Sequence, residues 1–527
     1  MKKLFCFLLV AALTVTVLFA GGASAQPGSS ASTGALMDPK TPVTISYWYS
    51  LNAGSNTADE LINGIGLKKL YDATGVTINW QVVPAAVTNP AAGNVEMYNL
   101  LMASGDIPDV VAFNTRGLKQ YYQAFLPVDE LIKNNPARYP MLNKYCFDDY
   151  LDAYLTNDDG RLRIIPMLAT RRIGDILILR QDLLQKYNGG RAPVTVDDWY
   201  QLLTAAKNDG KVGYMSRQQR AGLLYRLLAG YMDCVIEDYF VENGVVKYGA
   251  LDPRLRDGVE VARKWYAEGL IDREYPSTDS TRWWEDVLRG DVFATHDNIM
   301  RIAAGVNDYI NVQNPPVPYR LMGVGPIQSP RTGTRNTVIH YPRVRDKSAS
   351  ISINAKNPER ILDFFEYCFS DEGFILMNFG IEGQSFSYVN GVPIPDPTYA
   401  TRRDRGEVPP IGSTYDMVKN QRDELYFDYT QDRDDHRLTR EARDLYANND
   451  FIRENWIDSL SFTDEERDIL APINAELNTY RGEMLDKFIM GVEPMSNWDT
   501  FVAQIRRMNV DRALAIYQTA LDRLIRK

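Results

Sequence analysis

Length, composition and charge limit the classes of protein to which this 527-residue chain can belong. Without an apparent leader at its start, about 500 residues remain, several times the usual domain size, so we expect at least two packed cores. Hydrophobic residues make up 45% and charged residues 24%, which excludes a largely disordered, collagen-like or disulfide-stapled chain. The formal charge of −10 includes Lys2 and Lys3 of the leader, so the mature chain stands two units lower, at −12. It has no dense basic run, which argues against a nucleic-acid binder.

The first 25 residues have the order of a secretory leader. Lys2 and Lys3 precede an apolar run that ends near Ala20, and Ala23-Ser24-Ala25 supplies a small-residue cleavage motif. We expect export and cleavage after Ala25; the alternative is an uncleaved membrane anchor, which the shortness of the run disfavours. Cys6 lies inside the apolar run, too early for a lipid-modified cysteine. The sequence therefore predicts a protein that is not lipid-anchored, and favours a periplasm over a Gram-positive cell surface.

Strands and helices alternate after a tether over residues 26–42 that is rich in Ser, Ala, Gly and Pro. The β-branched and aromatic runs predict strands, and the apolar spacing of three and four predicts helices. The elements predicted first are the strands Val43–Tyr49, Val76–Val83 and Asp109–Phe113 and the helices Asp59–Tyr71 and Val95–Met102, with an interruption at Gly64-Ile65-Gly66. This alternation predicts an α/β fold with a largely parallel sheet.

A second unit begins at the predicted strand Ile176–Leu179. Its helices show clear start signals, because Thr195 with Asp198 and Thr463 with Glu466 have capping-box spacing, and Asn357-Pro358 opens a third helix. The chain after Asn420 is predicted to be mostly helical. The remaining predicted elements are the helix Ala250–Tyr266, the strand Val292–Ala294 and a long amphipathic end from Trp498 to Ile525, with Trp199, Trp265 and Trp498 in the core.

Most motifs for metal or catalytic chemistry are missing. The histidines are far apart, and the sequence holds no HExxH, CxxC, G-x-S-x-G or Walker pattern. Asp158-Asp159-Gly160 resembles a fragment of a calcium loop, but a turn is the favoured interpretation because the spacing of an EF-hand is absent. The mature chain keeps Cys146, Cys234 and Cys368, so at most one disulfide can form, and the sequence leaves open whether any does.

Aromatic and planar polar residues follow three predicted strands. Tyr47-Trp48-Tyr49 with Asn52 ends the first, Asn114-Thr115-Arg116 the third, and His296-Asp297-Asn298 follows Val292–Ala294. Sugars stack their C–H faces on aromatic rings, and their hydroxyls suit side chains that donate and accept in a plane. Ligands of open α/β sheets bind beyond the carboxyl ends of strands, so these segments are candidate ligand contacts. Taken singly, each aromatic residue belongs more often to the core than to a ligand platform.

Several phrases, in order, resemble a known family. Asn378-Phe379-Gly380-Ile381-Glu382-Gly383-Gln384-Ser385-Phe386 is similar to a segment of the large oligosaccharide-binding branch of sugar-binding proteins of ABC importers, which includes alginate-oligosaccharide binders. The supporting phrases are Ala103-Ser104-Gly105-Asp106-Ile107-Pro108-Asp109-Val110, Arg180-Gln181-Asp182-Leu183-Leu184, Pro193-Val194-Thr195-Val196-Asp197-Asp198-Trp199, Glu268-Gly269-Leu270-Ile271-Asp272 and Asn357-Pro358-Glu359. The resemblance runs from about residue 43 to the end.

The resemblance implies a two-lobed periplasmic-binding-protein fold, similar to type II, with interleaved lobes, a multi-segment hinge and a helical C-terminal extension. It implies one lobe from residues 43–168 and 336–405 and another from 169–335 and 406–527. It also implies a substrate-binding subunit, not an enzyme, which captures a carbohydrate between the lobes and delivers it to the permease. The implied ligand-binding residues are Tyr49, Asn52, Asn114, Arg116, Arg171, His296, Asp297, Asn298, Tyr341, Arg343, Arg345 and Tyr415.

The sequence departs from the family in two respects. The lipid-attachment cysteine that is common in Gram-positive relatives is missing, which agrees with a periplasmic location. Relatives of this size often carry a calcium loop after the helix that starts at Thr195, but here only Lys207-Asn208-Asp209-Gly210-Lys211-Val212-Gly213 follows. The sequence therefore predicts no cofactor and does not favour calcium. If two or more of the arginines near the expected cleft point inward, pairing with carboxylates would favour an acidic sugar such as a uronate. The alternative is that Arg343 and Arg345 are solvated or pair with local acids.

Two other functional classes share these features. A secreted glycan-cleaving hydrolase or lyase would have the same leader, acidity and aromatic cleft, and would release products from polysaccharide. A ligand-sensing binding protein would have the same fold without a role in transport. The favoured hypothesis is a monomeric binding protein that takes up an oligosaccharide, whose identity, linkage and length the sequence does not give.

Overall fold

The structure is a computed structural model, and it describes most of the chain from residue 41 to residue 525. The described residues are 41–50, 62–83, 90–113, 121–147, 160–166, 175–217, 219–298, 306–307, 310, 319–338, 348–389, 391–396, 398–411, 437–453, 457, 460 and 462–525.

Strands and helices alternate along the described chain, which confirms the α/β prediction. The strands are β1 Val43–Ser50, β2 Val76–Val83, β3 Val110–Phe113, β4 Asp175–Arg180, β5 Val212–Tyr214, β6 Tyr239–Glu242, β7 Val245–Tyr248, β8 Val292–Asn298, β9 Leu321–Val324, β10 Thr337–Val338, β11 Ser348–Ile351, β12 Phe386–Val389, β13 Val392–Pro395 and β14 Ile452–Arg453. The main helices are α1 Ile65–Thr74, α2 Pro90–Ser104, α3 Asp129–Lys133, α4 Pro140–Cys146, α5 Gln181–Asn188, α6 Val196–Asn208, α7 Pro253–Ala267, α8 Ser280–Leu288, α9 Pro358–Phe369, α10 Asp371–Phe379, α11 Tyr399–Asp404, α12 Arg437–Asn448, α13 Asp464–Met490, α14 Trp498–Arg507 and α15 Val510–Ile525.

The first sheet has the order β11-β3-β1-β2 and is largely parallel, as predicted. β1 pairs with β2 in parallel from Val43↔Val76 to Ser50↔Val83, and with β3 in parallel. The edge strand β11 returns from much later in the chain and runs antiparallel to β3. The strands of this sheet are rich in β-branched and aromatic residues, whose side chains pack against α1 and α9. We call the resulting cluster of buried residues the smaller core.

The second sheet is mixed, whereas the sequence predicted a largely parallel sheet. Its order is β5-β8-β4-β9, in which β4 runs antiparallel to both β8 and β9 and only β5 and β8 pair in parallel. The reversal places the carboxyl ends of β5, β8 and β9 at the edge where β4 begins, at Asp175. Helices α6, α7, α13, α14 and α15 cover this unit and form a core that we call the larger core.

The chain passes between the two cores more than once. Most buried residues of 45–165 and 349–377 belong to the smaller core, whereas most of those in 177–338 and 460–521 belong to the larger core. The opposite face of the second sheet packs in a further cluster, which includes Ile178, Trp283 and Tyr446. Chain connectivity therefore places passages within residues 167–174, 339–347 and 412–436. The two units are interleaved, because each core contains a second stretch of chain that comes after a stretch of the other core in sequence.

Helix ends follow the sequence signals closely. Thr195 and Thr463 each accept a hydrogen bond from the third helical residue in a complete capping box, as predicted. The end from Trp498 to Ile525, predicted as one amphipathic element, is two helices, because Asn509 takes a left-handed conformation with φ +60°. Gly64 caps α1 rather than interrupting it, and a Cβ at Gly66 would overlap the Leu376 carbonyl of α10.

Buried side chains match the core predictions made for the aromatic and sulfur-containing residues. Trp199, Trp265 and Trp498 are at most 4% exposed. The apolar face of α9, including Cys368, is buried in the smaller core. Cys146, Cys234 and Cys368 all carry free thiols. Among the described residues, none of the helices is long and apolar enough to cross a bilayer.

One buried arginine ties the start of the first sheet to α9. Arg360 is 1% exposed, and its guanidinium donates to the carbonyls of Thr74 at 2.6 Å and Thr41 at 3.0 Å. It also donates to Asp363 at 2.9 Å, which Arg138 holds from the other side. A buried carbonyl that lacks a hydrogen-bond donor lowers the stability of the folded state. The bonds from Arg360 therefore fix where β1 begins relative to α9.

We expect Arg360→Met to lower the free energy of unfolding by about 2–4 kcal/mol, because the buried Thr74 carbonyl and the less buried Thr41 carbonyl lose a charged donor. Urea unfolding followed by tryptophan fluorescence measures the change. Arg256→Met is the matched control, since Arg256 makes an exposed pair with Glu260 at 3.1 Å, which we expect to contribute no more than about 0.5 kcal/mol. Equal losses in the two variants would contradict the role given to Arg360.

Candidate functional site

Most of the ligand contacts predicted from sequence lie outside the described residues. Tyr49, His296, Asp297 and Asn298 are described. The others fall in the undescribed segments: Asn52, Asn114, Arg116, Arg171, Tyr341, Arg343, Arg345 and Tyr415. The structure therefore brings together one predicted segment, at the end of β8, and locates Tyr49 separately.

Tyr49 lies within the smaller core. It is 0% exposed, and its ring packs edge-on against Trp80 with centroids 6.1 Å apart. Tyr47 and Trp48 are also buried, at 2% and 4% exposure. The aromatic side chains at the end of β1 thus pack in the smaller core in this structure. A role for Tyr49 in stacking against a sugar stays a prediction.

His296, Asp297 and Asn298 do not follow β8, as the sequence analysis expected, but form its last three residues. Asn298 pairs with Asp175, Asp297 with Ile176 and His296 with Leu177 of the antiparallel neighbour β4. The sequence suggested a loop because three polar residues follow an apolar run. Backbone pairing with β4 extends the strand instead, so ionisable side chains lie in the middle of a sheet, with His296 0% and Asp297 1% exposed.

His296 is held as a neutral ring. Its Nδ1 lies 2.9 Å from the hydroxyl oxygen of Tyr214, and that hydroxyl donates to the Gly222 carbonyl at 2.9 Å. The imidazole proton therefore lies on Nδ1, which donates a hydrogen bond to the hydroxyl oxygen of Tyr214. Burial, with the nearby charges of Arg226 and Arg217, lowers the pKa of His296 well below its ordinary value. The Nε2 atom has no hydrogen-bond partner within the described part of the chain.

The helical segment that covers His296 is irregular. A short turn at Gln219–Ala221 continues as a π-helix over Gly222–Leu227. A Cβ at Gly222 would overlap the His296 ring and the Ser216 hydroxyl, so only glycine allows this approach. π-Helical turns are frequent at functional sites.

Asp297 points to the opposite face of the sheet, toward Arg217 and α8. Arg217 lies 3.4 Å from the Asp297 carboxylate and is 22% exposed, and its guanidinium lies 5.9 Å from the ring centre of Trp283. Trp283 is fixed by a hydrogen bond from its indole nitrogen to Thr295 at 2.7 Å. Trp283 is 2% exposed, so the indole and the buried carboxylate hold Arg217 in place, and the guanidinium is the group of this set that a hydroxyl-rich ligand could reach.

Arg226 closes the cluster from the π-helix. It lies 3.3 Å from the Asp175 carboxylate, and both side chains are almost fully buried. With Arg217 and Asp297 this makes two ion pairs around a neutral histidine, so the charges balance among the described residues of the cluster. The described residues include no group of three or more His, Cys, Asp or Glu placed to hold a metal ion.

The sequence analysis missed Asp175, Tyr214, Arg217, Gly222 and Arg226, which complete this cluster. One signal was present: Arg217, Arg220 and Arg226 interrupt a segment that is otherwise rich in buried leucines. Arginine is seldom buried unless it is paired, so such a pattern indicates buried partners elsewhere in the chain.

The buried histidine makes stability depend on pH. Below the ordinary pKa of 6.5 the unfolded chain binds a proton that the folded state excludes, so acidification favours unfolding. The side chain of the His296→Gln variant cannot titrate. From pH 7.5 to pH 5.5 we expect the free energy of unfolding of the wild-type protein to fall by about 1 kcal/mol more than that of this variant. Urea unfolding at several pH values measures this difference, in which other titrating groups cancel. Parallel pH profiles of the two proteins would contradict a neutral, buried His296.

Comparison with known proteins identifies the family. A profile for the family "Bacterial extracellular solute-binding protein" matches residues 21–373. The fructooligosaccharide ABC transporter substrate-binding protein FusA of Streptococcus pneumoniae serotype 4 is 23% identical over 496 residues, which cover 86% of each chain. The polygalacturonan/rhamnogalacturonan-binding protein YtcQ of Bacillus subtilis is 23% identical over 392 residues, 71% of this chain and 73% of YtcQ.

A solved structure gives the same fold. The alginate-binding protein AlgQ2 superposes with a TM-score of 0.70 at 24% identity, over 92% of this chain and 98% of AlgQ2. The two cores are therefore the two lobes of a solute-binding protein, with interleaved segments and a helical C-terminal region. Because the family profile spans more than half of its length, this chain belongs to the bacterial extracellular solute-binding protein family.

Proposed function

We propose that this protein is the substrate-binding subunit of an ABC importer, which captures an oligosaccharide between its lobes and delivers it to a membrane permease. The observation that carries the proposal is the polar end of β8. There, the partly exposed guanidinium of Arg217 lies beside buried Asp297 and the ring of Trp283. Asp297 and the buried Trp283 orient this guanidinium, and its exposed part is a planar charged donor that suits sugar hydroxyls.

The relatives support an oligosaccharide as the class of ligand. FusA is named for fructooligosaccharides, YtcQ for polygalacturonan and rhamnogalacturonan, and AlgQ2 for alginate. Their ligands are neutral in the first case and contain acidic sugars in the others. Since the described cluster carries balanced charges, we propose an oligosaccharide and let the binding measurement distinguish a neutral ligand from an acidic one.

We propose as ligand contacts the residues that the sequence analysis selected. They are Tyr49, Asn52, Asn114, Arg116, Arg171, His296, Asp297, Asn298, Tyr341, Arg343, Arg345 and Tyr415. We also propose the division into residues 43–168 and 336–405 for one lobe and 169–335 and 406–527 for the other, with small shifts at two boundaries. Val338 packs in the larger core, and Pro410 accepts a hydrogen bond from Ile65 of α1.

Binding, rather than chemistry, is the activity that we propose. The relatives that match over most of the chain are binding proteins. A ligand held by both lobes favours the closed form only by its better affinity for that form, and the closed form then docks on the permease. We propose a monomer that is exported to a periplasm, cleaved after Ala25 and carries no lipid anchor. Mass measurement of the secreted protein tests the cleavage site and the anchor together.

We expect Arg217→Met to weaken oligosaccharide binding at least about tenfold, because one charge-assisted hydrogen bond contributes roughly that factor. Isothermal calorimetry with the neutral trisaccharide kestose and with acidic trigalacturonate measures the affinity of each protein. Binding of kestose alone would assign a neutral sugar, and binding of trigalacturonate alone a uronate.

Arg256→Met serves as the control, since this exposed arginine lies on α7 and pairs with Glu260 of the same helix. It should bind as the wild-type protein does. Absence of saturable binding across neutral and acidic oligosaccharides, or release of shorter products from either, would contradict the proposed function.

A further inference from the structure

Two of the passages between the lobes lie close to each other at both ends. The first lies between Ile165 and Asp175, and the second between Val338 and Ser348. On the side of the smaller core, the flanking chains pair directly: the Ile165 amide donates to the Ala349 carbonyl at 2.7 Å, and the Ala349 amide returns a bond at 3.0 Å. There the spacing of the two passages is set by backbone hydrogen bonds.

On the side of the larger core, the flanking residues belong to different sheets. Asp175 begins β4, whose neighbours are β8 and β9, whereas Val338 ends β10, which pairs with β14. Arg226 joins them. One end of its guanidinium lies 3.3 Å from the Asp175 carboxylate, and the other donates to the Val338 carbonyl at 3.1 Å.

Burial and the packing of its helix hold this guanidinium in place. Arg226 is 8% exposed and projects from the π-helix, whose Leu223, Leu224 and Leu227 are buried in the larger core. The guanidinium is a planar fork that can hold two acceptors in a fixed relation, which a flexible ammonium cannot do. Withdrawal from water strengthens the ion pair, because the charges are screened less in the interior.

We propose that Arg226 is a positioning residue that clamps the hinge: it fixes the distance between the two passages where they enter the larger lobe. β10 also pairs with β14, which follows the third passage, so the clamp restrains all three. With the clamp intact, the lobes move about a hinge of defined width. With it weakened, the ligand-free protein samples a wider range of lobe arrangements, and any ligand that needs both lobes binds more weakly.

Hydrogen exchange of the ligand-free protein tests the clamp independently of the proposed sugar. Asp175→Asn removes the ionic part of the link while keeping an acceptor oxygen. We expect amides in peptides that cover residues 166–175 and 338–348 to exchange together, about tenfold faster, as expected for loss of one charge-assisted hydrogen bond. Acceleration of the first peptide alone would overturn the proposal, since it would report only a local effect of the substitution. Unchanged exchange in both peptides would overturn it as well.

Asp272→Asn is the matched control. Asp272 is another buried carboxylate of the larger core, 7% exposed and 3.1 Å from Arg282, far in sequence from both passages. We expect it to lower global stability without changing the exchange of the two passage peptides. Equal acceleration there in both variants would show that general destabilisation, not the clamp, controls the passages.

A second variant covers the case in which Asp175→Asn fails to fold. Arg226→Lys keeps a positive charge beside Asp175 but loses the fork. Dyes on cysteines introduced by Lys69→Cys and Arg512→Cys report the distance between lobes by single-molecule energy transfer, because α1 belongs to the smaller core and α15 to the larger.

The native thiols do not compete for the dyes. Cys146 and Cys368 are buried, and burial raises the pKa of Cys234 to about 12. We expect Arg226→Lys to broaden the ligand-free distance distribution. A distribution as narrow as that of the parent protein would overturn the proposal.

Discussion

A strand that carries ionisable side chains can lie inside a sheet only where each of them is neutralised or paired, because an isolated buried charge is very costly. β8 is such a strand: it lies between β5 and β4, and it ends in His296 and Asp297. The histidine meets the requirement by losing its proton, and the aspartate by pairing with Arg217. Since Tyr214 and Arg217 both come from the chain between β5 and the π-helix, this requirement determines where that segment must lie.

The segment between β5 and the π-helix also contacts the C-terminal helix α13. Arg220 binds Glu237 through two hydrogen bonds of 2.8 and 3.1 Å, and it also donates to Asp486 and to the Gly482 carbonyl of α13. Burial alone would raise the pKa of Glu237, but the hydrogen bond and charge of Arg220 hold it below its ordinary value. The helical C-terminal extension therefore helps to support the segment that covers β8.

Elements with strong local signals could be predicted from the sequence. The strands β1 and β2, the capping boxes at Thr195 and Thr463 and the buried face of α9 match, because each depends on residues close together in the chain. The direction of β4 and the length of β8 could not be predicted, since both depend on pairing between residues more than a hundred positions apart. The cluster around His296 was half predicted for the same reason: its polar triplet is contiguous, whereas its arginine partners are recognisable only once the fold brings them near.

Three arginines on one short stretch of chain reach three different parts of the molecule. Arg217 lies against the end of β8, Arg220 against α13, and Arg226 against the entrances of two passages between the lobes. Close-packed interiors transmit small displacements, and Leu223, Leu224 and Leu227 seat this stretch in the larger core. We therefore expect a ligand that displaces Arg217 to affect Arg226 as well, because both side chains come from the same short stretch of chain. The interleaved order of the chain makes this connection possible, since it brings the returning segment at Val338 within reach of a side chain from the middle of the larger lobe.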